Sequence, residues 1–210
     1  MQFWTAEPVV YTQDDYEGHR IRFLIGEKRA RCATRILDRF HSAPDYLLAV
    51  NTNRIYPVLI DKNLLCHGAA LEEILHERYP APALLPADPV RRAQHRMLAN
   101  QVRSWYPLNA TELAERLTEV VAAYDGTTAF FISDHMSVVD IALAPLLWRV
   151  PWQVLDVAHG TPFDEYRERL IARPSFQLSL CSQVAVNEME IDDEDEEGDD
   201  DCGSSIARAA

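Results

Sequence analysis

The sequence predicts an α/β domain followed by an all-helical one, and three observations carry that prediction. Strand candidates crowd into the first third of the 210 residues and then stop. Four prolines between Tyr79 and Pro89 mark a junction. From Val90 onward the apolar residues recur at helical spacing, and one segment is apolar on every face.

Val9 to Thr12 (VVYT) is β-branched and aromatic, a first strand broken by Asp14, Asp15 and Gly18. In His19 to Arg29, Ile21, Phe23, Leu24 and Ile25 alternate with Arg and Lys, which predicts an amphipathic helix. Cys32 to Leu37 reads as a second strand, Asp45 to Val50 as a short helix or turn, and Asn51 to Arg54 as polar loop. Ile55 to Asp61 is a strand that opens with a proline, allowed only where no ladder N–H is needed. Lys62-Asn63 turns into Leu64 to Cys66, and Ala69 to Arg78 is helical. Residues ahead of proline avoid the helical region, so 79–89 is extended. Helices follow over Val90 to Tyr106, Thr111 to Tyr124, Val138 to Trp148 and Asp164 to Ala172, and Pro174 to Phe176 seeds a short terminal one. The expected organisation is a first domain over 1–80, a proline-rich segment over 81–89, a helical domain over 90–187 and an acidic tail over 188–210.

The formal net charge of −13 is concentrated in that tail. Eleven acidic and no basic residues lie between Glu188 and Asp201; without them and Arg208 the chain holds 22 acidic against 19 basic residues. The tail is too polar to bury a core and its like charges repel, so it is expected to be disordered. Its charge argues against direct DNA binding. Cys32, Cys66, Cys181 and Cys202 form no C-x-x-C pair, which favours reduced thiols. Without a basic start, an apolar leader or a long apolar run, a soluble cytoplasmic protein with no membrane contact is expected. The seven histidines lack metal-ligand spacing and read as scattered surface or cap residues, with a satisfied structural role for His67. No glycine-rich phosphate loop is present, so neither a metal nor a cofactor is expected.

The most specific local signal is Ser137-x-x-Asp140, a capping box ahead of a nearly all-apolar helix. The Ser hydroxyl and the Asp carboxylate satisfy two backbone donors that would otherwise be orphaned, which predicts a helix that starts buried. Pro145 within it predicts a kink or an early end.

Taken together, Ile55-Tyr56-Pro57-Val58-Leu59, the box Ser137 to Asp140, Phe131-x-Ser-Asp134 and Ala144-Pro-Leu-Leu-Trp-Arg-x-Pro151 resemble the stringent starvation protein A family. That family belongs to the glutathione transferase-like superfamily. The resemblance spans about residues 9 to 182 and implies a thioredoxin-like N-terminal domain, in which Pro57 is the cis-proline, followed by an all-helical C-terminal domain. It implies a non-enzymatic transcription regulator in stress or stationary phase that binds RNA polymerase, with or without a sigma factor. It implies a homodimer, or a heterodimer with a related protein, and places the working face at the junction: Pro80, Ala81, Pro82, Leu84, Leu85 and Pro86. Ala81 stands where that family has His.

The departures from transferases bear on catalysis. Asp15 stands where Cys-type members carry their nucleophile, and a carboxylate there repels a thiolate. Tyr16 is the one nearby group that could rescue the chemistry. His67-Gly68 replaces the acidic-Ser pair that grips the γ-glutamyl group. Asp15, Tyr16, Pro57, His67 and Gly68 therefore outline a vestigial glutathione pocket with no catalytic residue. The alternative is an active glutathione-dependent transferase or thiol transferase.

Overall fold

The computed structural model describes residues 7–37, 42–150 and 158–180. The expected tail, Pro151, Cys181 and Cys202 lie outside the described residues. In order, the elements are β1 (Val9–Gln13), α1 (Tyr16–Glu27), β2 (Ala33–Leu37), α2 (Asp45–Val50), β3 (Val58–Asp61), β4 (Leu64–His67), α3 (Gly68–Arg78), α4 (Pro89–Arg103), α5 (Ala110–Ala123), α6 (Val138–Arg149), α7 (Pro162–Ile171) and α8 (Pro174–Leu180).

The four strands form one mixed sheet in the order β2-β1-β3-β4. β1 runs parallel to β2 and antiparallel to β3, which pairs antiparallel with β4. Alternation along the strands sends Val9, Tyr11, Val58 and Ile60 to one face, against Leu47 of α2. Val10, Leu59 and Cys66 go to the other, where they join a core that continues through α1 and α3 into the helical domain. Together they give the thioredoxin-like domain with a helical domain packed on it.

α1 departs from its expected amphipathic character. Nine of its residues are buried, among them His19, Arg20, Arg22 and Glu27, because the helix is covered by the sheet on one side and by α6 and α8 on the other. Arg20 meets Glu17 and Glu72, each at 2.8 Å. Arg22 donates through Nε to the Ser179 carbonyl at 2.8 Å and through Nη1 to Thr12 Oγ1 at 3.0 Å. Glu27 accepts both arms of Arg173, at 2.6 and 2.8 Å. His19 corrects the expectation of surface or cap histidines: it is fully buried, its ring lies 4.8 Å from that of Phe176, and neither ring nitrogen has a partner.

α6 starts as the capping box requires. Asp140 Oδ2 accepts the Ser137 N–H at 2.7 Å, and Ser137 Oγ accepts the Val139 N–H at 3.2 Å. The carboxylate does more than close the box: Oδ1 also accepts the Phe131 N–H at 2.9 Å and the Tyr166 hydroxyl at 2.8 Å. It thus ties the 126–135 loop and α7 to the start of α6. Burial raises the Asp140 carboxyl above its ordinary range, opposed by these donors. The Val138 N–H is met by the Leu84 carbonyl of the junction at 3.0 Å.

Of the kink or early end expected at Pro145, the early end does not occur: the helix runs on to Arg149, one residue past the Trp148 boundary read from the sequence. A mid-helix proline costs about 3 kcal/mol. Val138 through Leu147 are all buried, and at about 1.5–3 kcal/mol for each large apolar side chain that burial outweighs the local cost. The Tyr106 hydroxyl donates to the Ala142 carbonyl at 3.0 Å in the turn the proline disturbs.

Two outcomes follow for stability. Ser137→Ala lowers it by about 1 kcal/mol, the worth of a cap, whereas Asp140→Ala lowers it by about 3 kcal/mol or more because several buried donors lose their acceptor together. Urea unfolding of both variants measures the gap, and equal losses would contradict the wider role of the Asp140 carboxylate. Burial, reinforced by Arg22 and Arg149, pushes the His19 pKa down to about 3, and burial with Lys28 pushes His76 down to about 4. Unfolded histidine takes up its proton near pH 6.5, so stability is full above that pH and declines as pH falls from 6.5 toward 4. The decline for His19 is up to about 1.4 kcal/mol per pH unit, and His19→Leu flattens it in urea titrations between pH 7 and pH 5.

Candidate functional site

Strand register gathers one part of the predicted site at a single end of the sheet. Tyr11 pairs with Val58, which follows Pro57, and Val58 pairs with His67. The end of β1, the Tyr56-Pro57 bond and the β4–α3 turn are therefore neighbours. That bond is cis, as the resemblance implies.

The turn from β1 into α1 is close. A Cβ on Gly18 would lie 1.9 Å from the Gln13 carbonyl oxygen, so only glycine permits it. Asp15 is the N-cap of α1 and accepts the Gly18 N–H at 2.7 Å. Its charge is thereby engaged with the helix start. Thr12, near the end of β1, is buried and accepts from Arg22.

Tyr16 stacks on Tyr106 with centroids 4.9 Å apart, and the Arg149 guanidinium carbon lies 5.3 Å from the centre of the Tyr16 ring. Arg149 also pairs with Asp14 at 3.0 Å. Burial raises the Tyr16 phenol above its ordinary pKa, with Arg149 opposing, so the phenolate is disfavoured. The side chains at this end are committed to one another: Asp14 to Arg149, Asp15 to the helix cap, Tyr16 to its stack. His67 and Gly68 are exposed, and His67 makes no side-chain capping bond. No hydrogen bond or ion pair among the described residues joins His67 to Asp15 or Tyr16. Cys32, pushed up by burial to about 12, and Cys66, also raised by burial, hold thiols rather than thiolates.

At the junction, Pro80, Ala81 and Pro82 are exposed, and the Pro82 carbonyl accepts from Lys28 Nζ at 2.8 Å. Leu84 corrects the expected ridge: it is 2 % exposed and belongs to the inter-domain core, so it offers no contact to a partner. Leu85 and Pro86 are half-buried and form part of a cleft of about 1300 Å³ between the junction, α4 and the 132–137 loop. Sequence reasoning missed this cleft. The signal was available in α4, where Arg91, Gln94, His95 and Leu98 recur at helical spacing and all line it.

A thioredoxin-like sheet with a cis-proline end, joined to a helical bundle, defines the glutathione transferase fold. Glutathione transferase Omega 3C from Trametes versicolor superposes with a TM-score of 0.67 at 19% identity, covering 84% of this chain and 85% of that one. The chain belongs to the stringent starvation protein A family: a stringent starvation protein A homolog of Histophilus somni is 32% identical over 192 residues, which cover 82% of this chain and 89% of that protein. A probable maleylacetoacetate isomerase of Vibrio cholerae is 28% identical, covering 74% of this chain and 84% of its own length. No family model matches the chain. No helix among the described residues is long and apolar enough to cross a membrane.

Because the stack, and no hydrogen bond among the described residues, holds Tyr16, Tyr16→Phe leaves stability within about 0.5 kcal/mol of the parent. Tyr16→Ala costs about 2 kcal/mol through lost burial and ring contact. Thermal melts compare them; a large loss in Tyr16→Phe would show that the hydroxyl has a role.

Proposed function

We propose that this protein is a non-enzymatic transcription regulator that binds RNA polymerase, with or without a sigma factor, in the stress or stationary-phase response. The observation that carries the reading is the state of the sheet end where transferases hold glutathione. Asp15 caps α1, Arg149 lies over Tyr16 and pairs with Asp14, and Gly68 has no hydroxyl to offer. A fold whose former site is occupied by its own side chains is more plausibly kept for binding than for chemistry. Membership of the stringent starvation protein A family supports the same reading. The proposed contact face is Pro80, Ala81 and Pro82 with the half-buried Leu85 and Pro86, a ridge whose stiffness lowers the ordering cost of association. Assembly as a homodimer, or as a heterodimer with a related protein, and a cytoplasmic location belong to this proposal.

Polymerase subunits are expected to co-purify with the full-length protein from stationary-phase lysate. Ala81→Glu, which places a charge on the exposed ridge without touching the core, reduces the yield at an unchanged melting midpoint. Asp15→Ala with His67→Ala leaves it intact. Loss of binding in the second variant alone would move the contact face to the vestigial pocket. Retention on glutathione-agarose with turnover of chlorodinitrobenzene would instead favour a glutathione-dependent enzyme, the alternative to which the isomerase relative points.

A further inference from the structure

The cleft between α4, the junction and the 132–137 loop is set apart by what lines it. No Asp or Glu does, although the sequence holds 33 acidic residues; its charged or titratable side chains are Arg91, His95 and His135. Both methionines of the described residues, Met97 and Met136, line it as well. They stand on different walls, one on α4 and one on the loop, and methionine adapts to an uneven apolar surface more readily than a branched side chain.

The cleft is basic at one end and apolar in the middle. Along α4, Arg91 and His95 occupy the first two turns, Met97 and Leu98 the next, and Gln101 and Ser104 the far end. From Arg91 to Ser104 the helix rises about 20 Å. Other cations of α4 are already matched: Arg96 pairs with Glu73 at 2.6 Å, and Arg103 with Glu17 at 2.8 Å. Arg91 and Arg92 meet no carboxylate among the described residues, and the positive end of the helix dipole adds to their charge. His95 Nδ1, in the same wall, is buried without a hydrogen-bond partner.

At about 1300 Å³ the cleft exceeds the usual range for small-molecule sites, roughly 300–1,000 Å³. Met97 is 71 % exposed on its open side, and covering it takes an occupant broader than a small molecule. An extended chain advances about 3.3 Å per residue, so about six residues match the length of the α4 wall. Such a chain also brings backbone groups. The N–H groups of Leu85 and Ala87, opposite α4, make no hydrogen bond among the described residues and can take main-chain partners. We infer that the cleft takes an extended segment of a partner protein, acidic where it meets Arg91 and Arg92 and apolar where it meets Met97, Leu98 and Met136. A basic segment is repelled by the arginines, and a wholly polar one leaves the methionines in water. The cleft adjoins the proposed contact ridge through Leu85 and Pro86. The inference rests on the regulatory reading for the identity of the partner, and it adds the chemistry of the segment that the partner supplies.

The test needs no polymerase. The purified full-length protein is panned against a display library of random nine-residue peptides, and the enriched sequences are made with a fluorescein label and titrated by anisotropy. They carry Asp or Glu toward one end and Leu, Ile, Met or Phe in the middle. Arg91→Glu with Arg92→Glu weakens them at least about tenfold, through the reversal of two exposed charges. Acidic residues suit the first turn of a helix, so this variant keeps the melting midpoint of the parent. Met97→Asp, at an exposed position, weakens the same peptides by a similar factor. Enrichment of basic or uncharged sequences, affinities unchanged in both variants, or no enrichment at all overturns the inference. A dimer that Met97→Asp dissociates and that admits no peptide also overturns it, and assigns the face to a second copy of the chain. Peptides that bind as described while polymerase fails to co-purify support the cleft assignment and count against the regulatory reading alone.

Discussion

Helix α1 carries Arg20, Arg22 and Glu27 into the space between the sheet and the helical domain, and each of these charges has to be met there. Two of the three are met from the far side of the junction. Arg22 is held by the Ser179 carbonyl, and Glu27 by Arg173 with a further hydrogen bond from Ser175. Arg20 closes a cycle with Glu17, Glu72 and Arg103 that joins α1, α3 and α4. Removing one partner of such a buried set costs about 3–5 kcal/mol because the other charge is stranded. A sliding or rotation of one domain on the other would break several of these bonds together, so the inter-domain angle is fixed by charge as much as by apolar contact.

The same helix explains how the sheet end beside Pro57 is held by the chain's own side chains. Its N-terminus points at the sheet end where an anion or thiolate would be stabilised, and Asp15 satisfies that end from within the chain. Arg149 emerges from α6, whose placement is fixed by Asp140, and covers Tyr16. This end is thus held by residues from both domains, through the Asp14–Arg149 pair and the contact between Arg149 and Tyr16.

What could be read from the sequence followed how local each signal was. The box at Ser137 and Asp140, the strand ahead of the Lys62-Asn63 turn, which starts at Val58 rather than Ile55, and the stop at Arg173-Pro174 depend on neighbours within a few residues, and the structure has each of them. The Asp140 contacts to Phe131 and Tyr166 come from nine and 26 residues away, and no spacing rule reveals them. Burial of α1 on both sides was hidden because its charges imitate a solvated face; only the packed partner shows that Arg22 and Glu27 point inward. Leu84 was misplaced for a similar reason, since a leucine among prolines reads as a ridge until its carbonyl is seen to accept the first N–H of α6.

Leu84, Leu85 and Pro86 form the point at which these constraints meet. Leu84 is locked into the inter-domain core, and that fixes the next two residues as part of both the proline ridge and the α4 cleft. A partner that engages Leu85 and Pro86 therefore contends with whatever covers the apolar side chains next to them. Outside the acidic tail the chain is nearly balanced in charge, so electrostatic selectivity at this face rests on local groups rather than on the net field. Arg91 and Arg92 are the cations of α4 left without a described carboxylate, and they stand at the first turns of the helix, where the positive end of its dipole adds to their charge.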